Sequence, residues 1–266
     1  MSPHIDGVRV GHWTDPVGKT GCTVILFPPK TVASGEVRGG APATREFALL
    51  SPERTVENIH GLLLTGGSAF GLAAADGVVS CLEEDGIGFP TPAGPVPIVV
   101  AMSLYDLMEG DATVRPNSEN GRMAVREASS EIQVGQVGAG TGATVGKWRS
   151  REHRRSGGIG LGVAEKEEIK VVAIAAVNAL GEPDDGTATK SVLNGTFMNW
   201  PEHPSRSPLL SQSGHDGLAR ALFPPHLSSD GDAVVAAATG QVSAPSLDIV
   251  RALTVAAVEQ AIQQSC

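Results

Sequence analysis

Short apolar, β-branched runs alternate with helix-like periodicities along this chain, which restricts it to folds that layer sheets against helices. Extended segments are predicted at residues 7–12, 22–27, 61–65, 96–100, 169–177 and 233–238, where such residues cluster or alternate. Between them, Ser51-Pro52-Glu53 offers a cap, a proline for the first turn and an acid, predicting a helix to about His60. Phe70, Ala74, Val78 and Leu82 recur every four residues and predict a second helix, capped by Ser68 and running toward Gly86. Further helices are predicted over 118–130 and 215–222, the latter ended by Pro224-Pro225. Ser246 caps a last one, with Val250, Leu253, Ala257 and Ala261 on one face. The class is α/β or α+β. Two stretches, 135–162 and 182–213, are poor in regular signals, and the second is long for a structureless connection.

Composition sets what such layers can be made of. Apolar residues are 41% of the 266, enough for a sizeable core, yet aromatics are only 4%. Ala, Val and Gly must therefore do the packing, which suits closely spaced layers. The net charge of −9 argues against nucleic acid and anionic membranes as partners. The one basic run, Arg149, Arg151, His153, Arg154 and Arg155, reads as a solvated loop. Three widely spaced cysteines, Cys22, Cys81 and Cys266, fit reduced thiols in a cytoplasmic protein. No basic-then-apolar leader opens the chain, and no apolar run approaches the ~20 residues of a membrane span.

Several motifs invite chemistry. VGAGTGATVGK (137–147) has glycines but not the spacing of a phosphate loop, so its glycines are expected to serve tight turns or close backbone approach. GGSAFG (66–71) lies between a strand and a helix like a nucleophile elbow, but Phe70 stands where that pattern needs glycine. Ser68 therefore reads as a turn residue. The histidines are scattered, so neither a metal nor a cofactor is expected. Asp230-Gly231-Asp232 is a paired carboxylate that could orient a catalytic group or form a solvated turn.

Taken together, these strings resemble one family, the L-aminopeptidase/D-esterase or DmpA-type peptidases, with beta-peptidyl aminopeptidases and nylon-oligomer hydrolases as relatives. The matching strings are VRVGHWTD (8–15), TGCTVILF (20–27), VRGGAPATRE (37–46), LTGGSAFGLAAADGV (64–78), EEDGIGFP (83–90), VGAGTGATVGK (137–147), AAVNALG (175–181), HDGLARAL (215–222) and DGDAVVAAATG (230–240). The resemblance implies a four-layer α-β-β-α sandwich, similar to N-terminal nucleophile hydrolases but differently connected, and one domain over 1–266. It implies a homo-oligomer that cuts itself once and then uses the freed Ser or Thr to hydrolyse small peptides, amides or esters without a metal. Such a hydroxyl needs a base, which the new α-amino group supplies at a pKa of roughly 7.7–8.0. By the same resemblance Lys147, Asn178, Asp230 and Asp232 lie at the site, with Tyr105 as an oxyanion donor.

The chain departs from the family's pattern where the nucleophile is expected. Relatives carry a string like Asn-Thr-Thr-Leu that leads into a β-branched strand, the first Thr being the nucleophile. Here GTATKSVLNGTF (186–197) reads as the loop before the cut. The prolines at 201, 204 and 208 argue against a central strand immediately after it. Thr196 is the best hydroxyl in this segment, with Ser205 and Ser207 next. The alternative function is an inactive homologue that binds or scaffolds.

Overall fold

The computed structural model describes residues 3–147, 150–183, 193–198, 208–243 and 246–265, the segment 193–198 by its backbone pairing. Two five-stranded sheets carry the fold. The first contains β1 (Arg9–Asp15), β2 (Thr20–Leu26), β4 (Ala43–Arg45), β5 (Gly61–Thr65) and β6 (Val99–Ser103), in the order β1-β2-β5-β6-β4. The second contains β3 (Val32–Val37), β7 (Gly158–Lys166), β8 (Ile169–Val177), β9 (Leu193–Met198) and β10 (Ala233–Ala238), in the order β7-β8-β9-β10-β3. Each sheet holds one parallel pair, β5 with β6 and β9 with β10.

Alternation within single strands builds the layers. Val172, Ile174 and Ala176 of β8 face a core shared with Leu62, Leu64, Val100 and Met102 of the other sheet. Val171, Ala173, Ala175 and Val177 face the opposite way, against α3 (Pro208–Ala221) and α4 (Leu247–Gln264). Leu63 and Ala101 likewise turn outward to α1 (Ala74–Glu84) and α2 (Ser118–Arg126). The result is the four-layer α-β-β-α sandwich. Strands covered on both faces read as continuous apolar runs, which is why 61–65, 169–177 and 233–238 can be bounded from sequence.

Glycine takes the place of aromatic bulk where a helix lies close to its sheet. A Cβ on Gly160 of β7 would overlap the carbonyl oxygen of Ala261 in α4, and one on Gly162 that of Ala257. Gly162→Ala must push α4 off the sheet. It is expected to cost about 2–3 kcal/mol, read as a lower urea midpoint with an unchanged slope.

Three expectations need correction. Residues 51–60 form turns and bends, preceded by a 3-10 turn at Phe47–Leu50. The Ser-Pro-Glu signal is local, and little apolar surface follows to dock a helix. The second predicted helix starts as a 3-10 turn, Ser68–Ala73, without a side-chain cap, and becomes α1 only at Ala74. Third, GTATKSVLNGTF does not end as a loop: its last five residues lie in β9, in the middle of the second sheet. LNGTFM has weak β propensity, but β8 and β10 would each lose a ladder without it. Residues 199–207, where the prolines argue against a strand and where Ser205 and Ser207 stand, lie outside the described residues.

Candidate active site

The strand ends set the place of the site. β5, β6 and β8 finish, and β10 begins, around a cavity of about 340 Å³. Its walls include Ser68 after β5, Ser103 at the end of β6, Tyr105 and Glu109 beyond it, Ala176 and Asn178 at the end of β8, and Asp230 before β10. Lys147 and Arg151 reach it from the end of VGAGTGATVGK and the segment after it.

Asn178 ties three segments together. Its Oδ1 accepts from Lys147 Nζ at 2.8 Å and from the Thr144 backbone N–H at 3.0 Å, and its Nδ2 donates to the Tyr105 carbonyl at 2.9 Å. Lys147 is largely buried, and that burial pulls its pKa from 10.5 down to about 8; Glu109 and Asp230 oppose the shift, and Arg151 adds to it. An amine in that range can gain or lose a proton near neutral pH. Tyr105 gives its carbonyl to Asn178 while its side chain stays half exposed.

The two acids of Asp230-Gly231-Asp232 stand in different surroundings. Asp230 lines the cavity, and its Oδ2 accepts from Leu227 N at 3.3 Å while its carbonyl accepts from Ala41 N at 2.8 Å. Asp232 is fully buried and holds His226 instead, accepting from the backbone N–H at 2.9 Å and facing Nδ1 at 2.8 Å. Its carbonyl also accepts from Arg38 and Gly39 N–H, which pins the VRGGAP segment beside the cavity.

Thr196 sits three places into β9, opposite Ala173 and Ala236. The β9 residue opposite cavity-lining Ala176 is Leu193. Along the strand, Thr196 is therefore about 10 Å from the cavity edge.

Residues that carry no signal in the sequence complete the walls. Glu109 accepts from Arg151 at 2.9 Å and Arg154 at 3.0 Å, and Arg155 pairs with Glu182 at 3.1 Å. Part of the basic run is thus bound to carboxylates, and only its spacing from Lys147 hints at the cavity. The glycine-rich string spends its amides on protein: Gly138 N–H donates to Thr14 Oγ1 at 2.8 Å and Ala139 N–H to Thr23 Oγ1 at 3.1 Å. Ala139 and Ala143 lie in the core between the sheets, so the glycines serve close approach. Ser68 has φ 54° after Gly67 at φ 78°, a left-handed pair that costs the serine roughly 1–2 kcal/mol. Among the described residues, no group of three His, Cys, Asp or Glu side chains is gathered to hold a metal.

This arrangement of two sheets between helix layers resembles the fold of N-terminal nucleophile hydrolases. Two solved structures share the fold. A beta-aminopeptidase from a Burkholderia species superposes with a TM-score of 0.78 at 22% identity, covering 100% of this chain and 86% of its own. The L-aminopeptidase D-Ala-esterase/amidase of Ochrobactrum anthropi, described as a new variant of that fold, gives 0.75 at 20% identity, covering 98% and 84%. An uncharacterised aminopeptidase of Mycobacterium tuberculosis is 36% identical over 288 residues, covering 91% of this chain and 82% of its own. Residues 4–266 match peptidase family S58, and the chain belongs to that family.

Proposed function

We propose that this chain is an amidohydrolase that cuts itself once before β9 and then hydrolyses small peptides, amides or esters in the cavity at the strand ends. One observation carries the reading: Lys147, Asn178 and Asp230, which the family resemblance singles out from three distant strings, line one cavity beside the start of β9. The register of β9 argues against Thr196 as the nucleophile and for a hydroxyl at or before Leu193. In sequence the nearest is Ser191, which lies outside the described residues. A cut before it would free an α-amino group as the base. The second N–H of Asn178 Nδ2, whose first goes to the Tyr105 carbonyl, would then face the developing oxyanion. In this reading the whole chain is one domain, acting in the cytoplasm as a homo-oligomer. Support for the compartment comes from Cys22 and Cys81, buried free thiols. Among the described residues no helix is long and apolar enough to cross a membrane.

The test is the intact mass of purified protein, with turnover of aminoacyl amides followed in parallel. Two fragments whose junction fixes the nucleophile are expected. The cut should survive in Thr196→Ala and vanish in Ser191→Ala. A single uncut chain without turnover would sink the proposal. That outcome would favour a binding homologue, for which one feature speaks: β9 opens Leu193-Asn194-Gly195, with no Asn-Thr-Thr string.

A further inference from the structure

Ser68 is held in a conformation that suits glycine better. Gly67 and Ser68 are consecutive left-handed residues at the exit of β5. The turn is clamped from three sides. Gly67 N–H donates to Asp106 Oδ1 at 2.7 Å, Ser68 N–H to the Leu104 carbonyl at 2.9 Å, and Ser103 Oγ to the Ser68 carbonyl. Asp106 is itself buried and fixed by Thr20 Oγ1 at 2.7 Å. Glycine at 68 would satisfy the same backbone bonds with less strain. What serine adds is a hydroxyl. Among the described residues that hydroxyl makes no hydrogen bond, and Ser68 lines the cavity with Lys147 and Asn178. Strain kept at a cavity wall, where the hydroxyl gains no bond among the described residues, points to a ligand as its missing partner.

We infer that Ser68 is a substrate-contacting residue whose hydroxyl bonds a backbone amide group of a peptide held in the cavity. This deepens the proposed function and rests on it for the substrate class. The probe is L-alanyl-L-alanine amide, with binding measured by calorimetry and turnover recorded separately. Ser68→Gly is expected to raise the thermal midpoint by about 2–4 °C and to weaken binding at least fivefold. Ser68→Ala is expected to weaken binding as much without the thermal gain. Ser68→Gly that gains stability and binds as tightly as the unaltered protein would overturn the inference, as would an unaltered protein that binds no peptide amide. Binding that depends on Ser68 without any turnover would leave this inference standing and remove the hydrolase reading alone.

Discussion

Lys147→Met should give a protein that is more stable at pH 7 by about 3 kcal/mol and slower in turnover by about 10²-fold or more. The stability half follows from burial. The lysine titrates at 10.5 when unfolded and at about 8 in the cavity. Between those values the unfolded chain holds one proton more, so stability falls as the pH drops from 10.5 to about 8, and the whole loss is in force at pH 7. Methionine fills similar space and brings no charge to desolvate. Asn178 Oδ1 keeps the Thr144 N–H as a donor. The activity half follows from geometry: Lys147 Nζ is the cation on Asn178, and losing a preorganised donor at such a site costs on the order of 10²-fold or more in rate. Urea midpoints at pH 7 and pH 10.5 separate the causes. The gain should shrink at the higher pH, and a variant destabilised at both would refute the assignment.

Acid should unfold the protein early, with His215 as a principal cause. Its ring is fully buried between α3 and β3, with Nε2 facing the Glu36 carbonyl at 3.0 Å and Nδ1 without a partner among the described residues. The His226 ring lies 4.9 Å away, edge to face. Burial lowers the pKa from 6.5 to about 4; the Glu36 carbonyl and Asp232 oppose this, while His226 and Arg38 reinforce it. Between those values the unfolded chain carries the extra proton. Stability is therefore complete above 6.5 and drains away toward pH 4, by about 3 kcal/mol for this one ring. His12, lowered to about 4 by burial, adds a loss of the same sign. A domain stable by 5–15 kcal/mol has little left at that point. His215→Gln, which can still donate to Glu36, should flatten the slope between pH 6.5 and 4.5, above most carboxylate titration. An unchanged slope would show that the proton goes elsewhere.

These outcomes also measure how far the sequence can be read. β8 is legible to the residue because both its faces are apolar, a signal that depends only on the strand itself. The capped final helix is legible for a similar reason: Ser246 Oγ accepts from Asp248 N–H at 3.2 Å, and Val250, Ala257 and Ala261 are buried. β9 is not, because its neighbours, 16 residues or more away in sequence, decide it. Leu-Asn-Gly-Thr-Phe-Met carries no strand pattern of its own, and the ladders on either side impose one. The cavity divides in the same way. Lys147, Asn178 and Asp230 stand inside long recognisable strings. Glu109 and Arg151 come from segments with no periodicity, and only folding shows that they share a wall with Ser68.

The strand order of the second sheet has a consequence for any break between residues 183 and 193. The piece before the break would supply β7, β8 and β3, and the piece after it β9 and β10, inserted between β8 and β3. Two polypeptides would then be interleaved through one hydrogen-bonded surface. Neither could leave without opening ladders on both of its flanks, and the smaller would expose the apolar inner face of β10, Ala233, Val235 and Ala237, to water. Such a nicked molecule would migrate in native solution as an unbroken one does, part only in denaturant, and re-form only if its halves folded together.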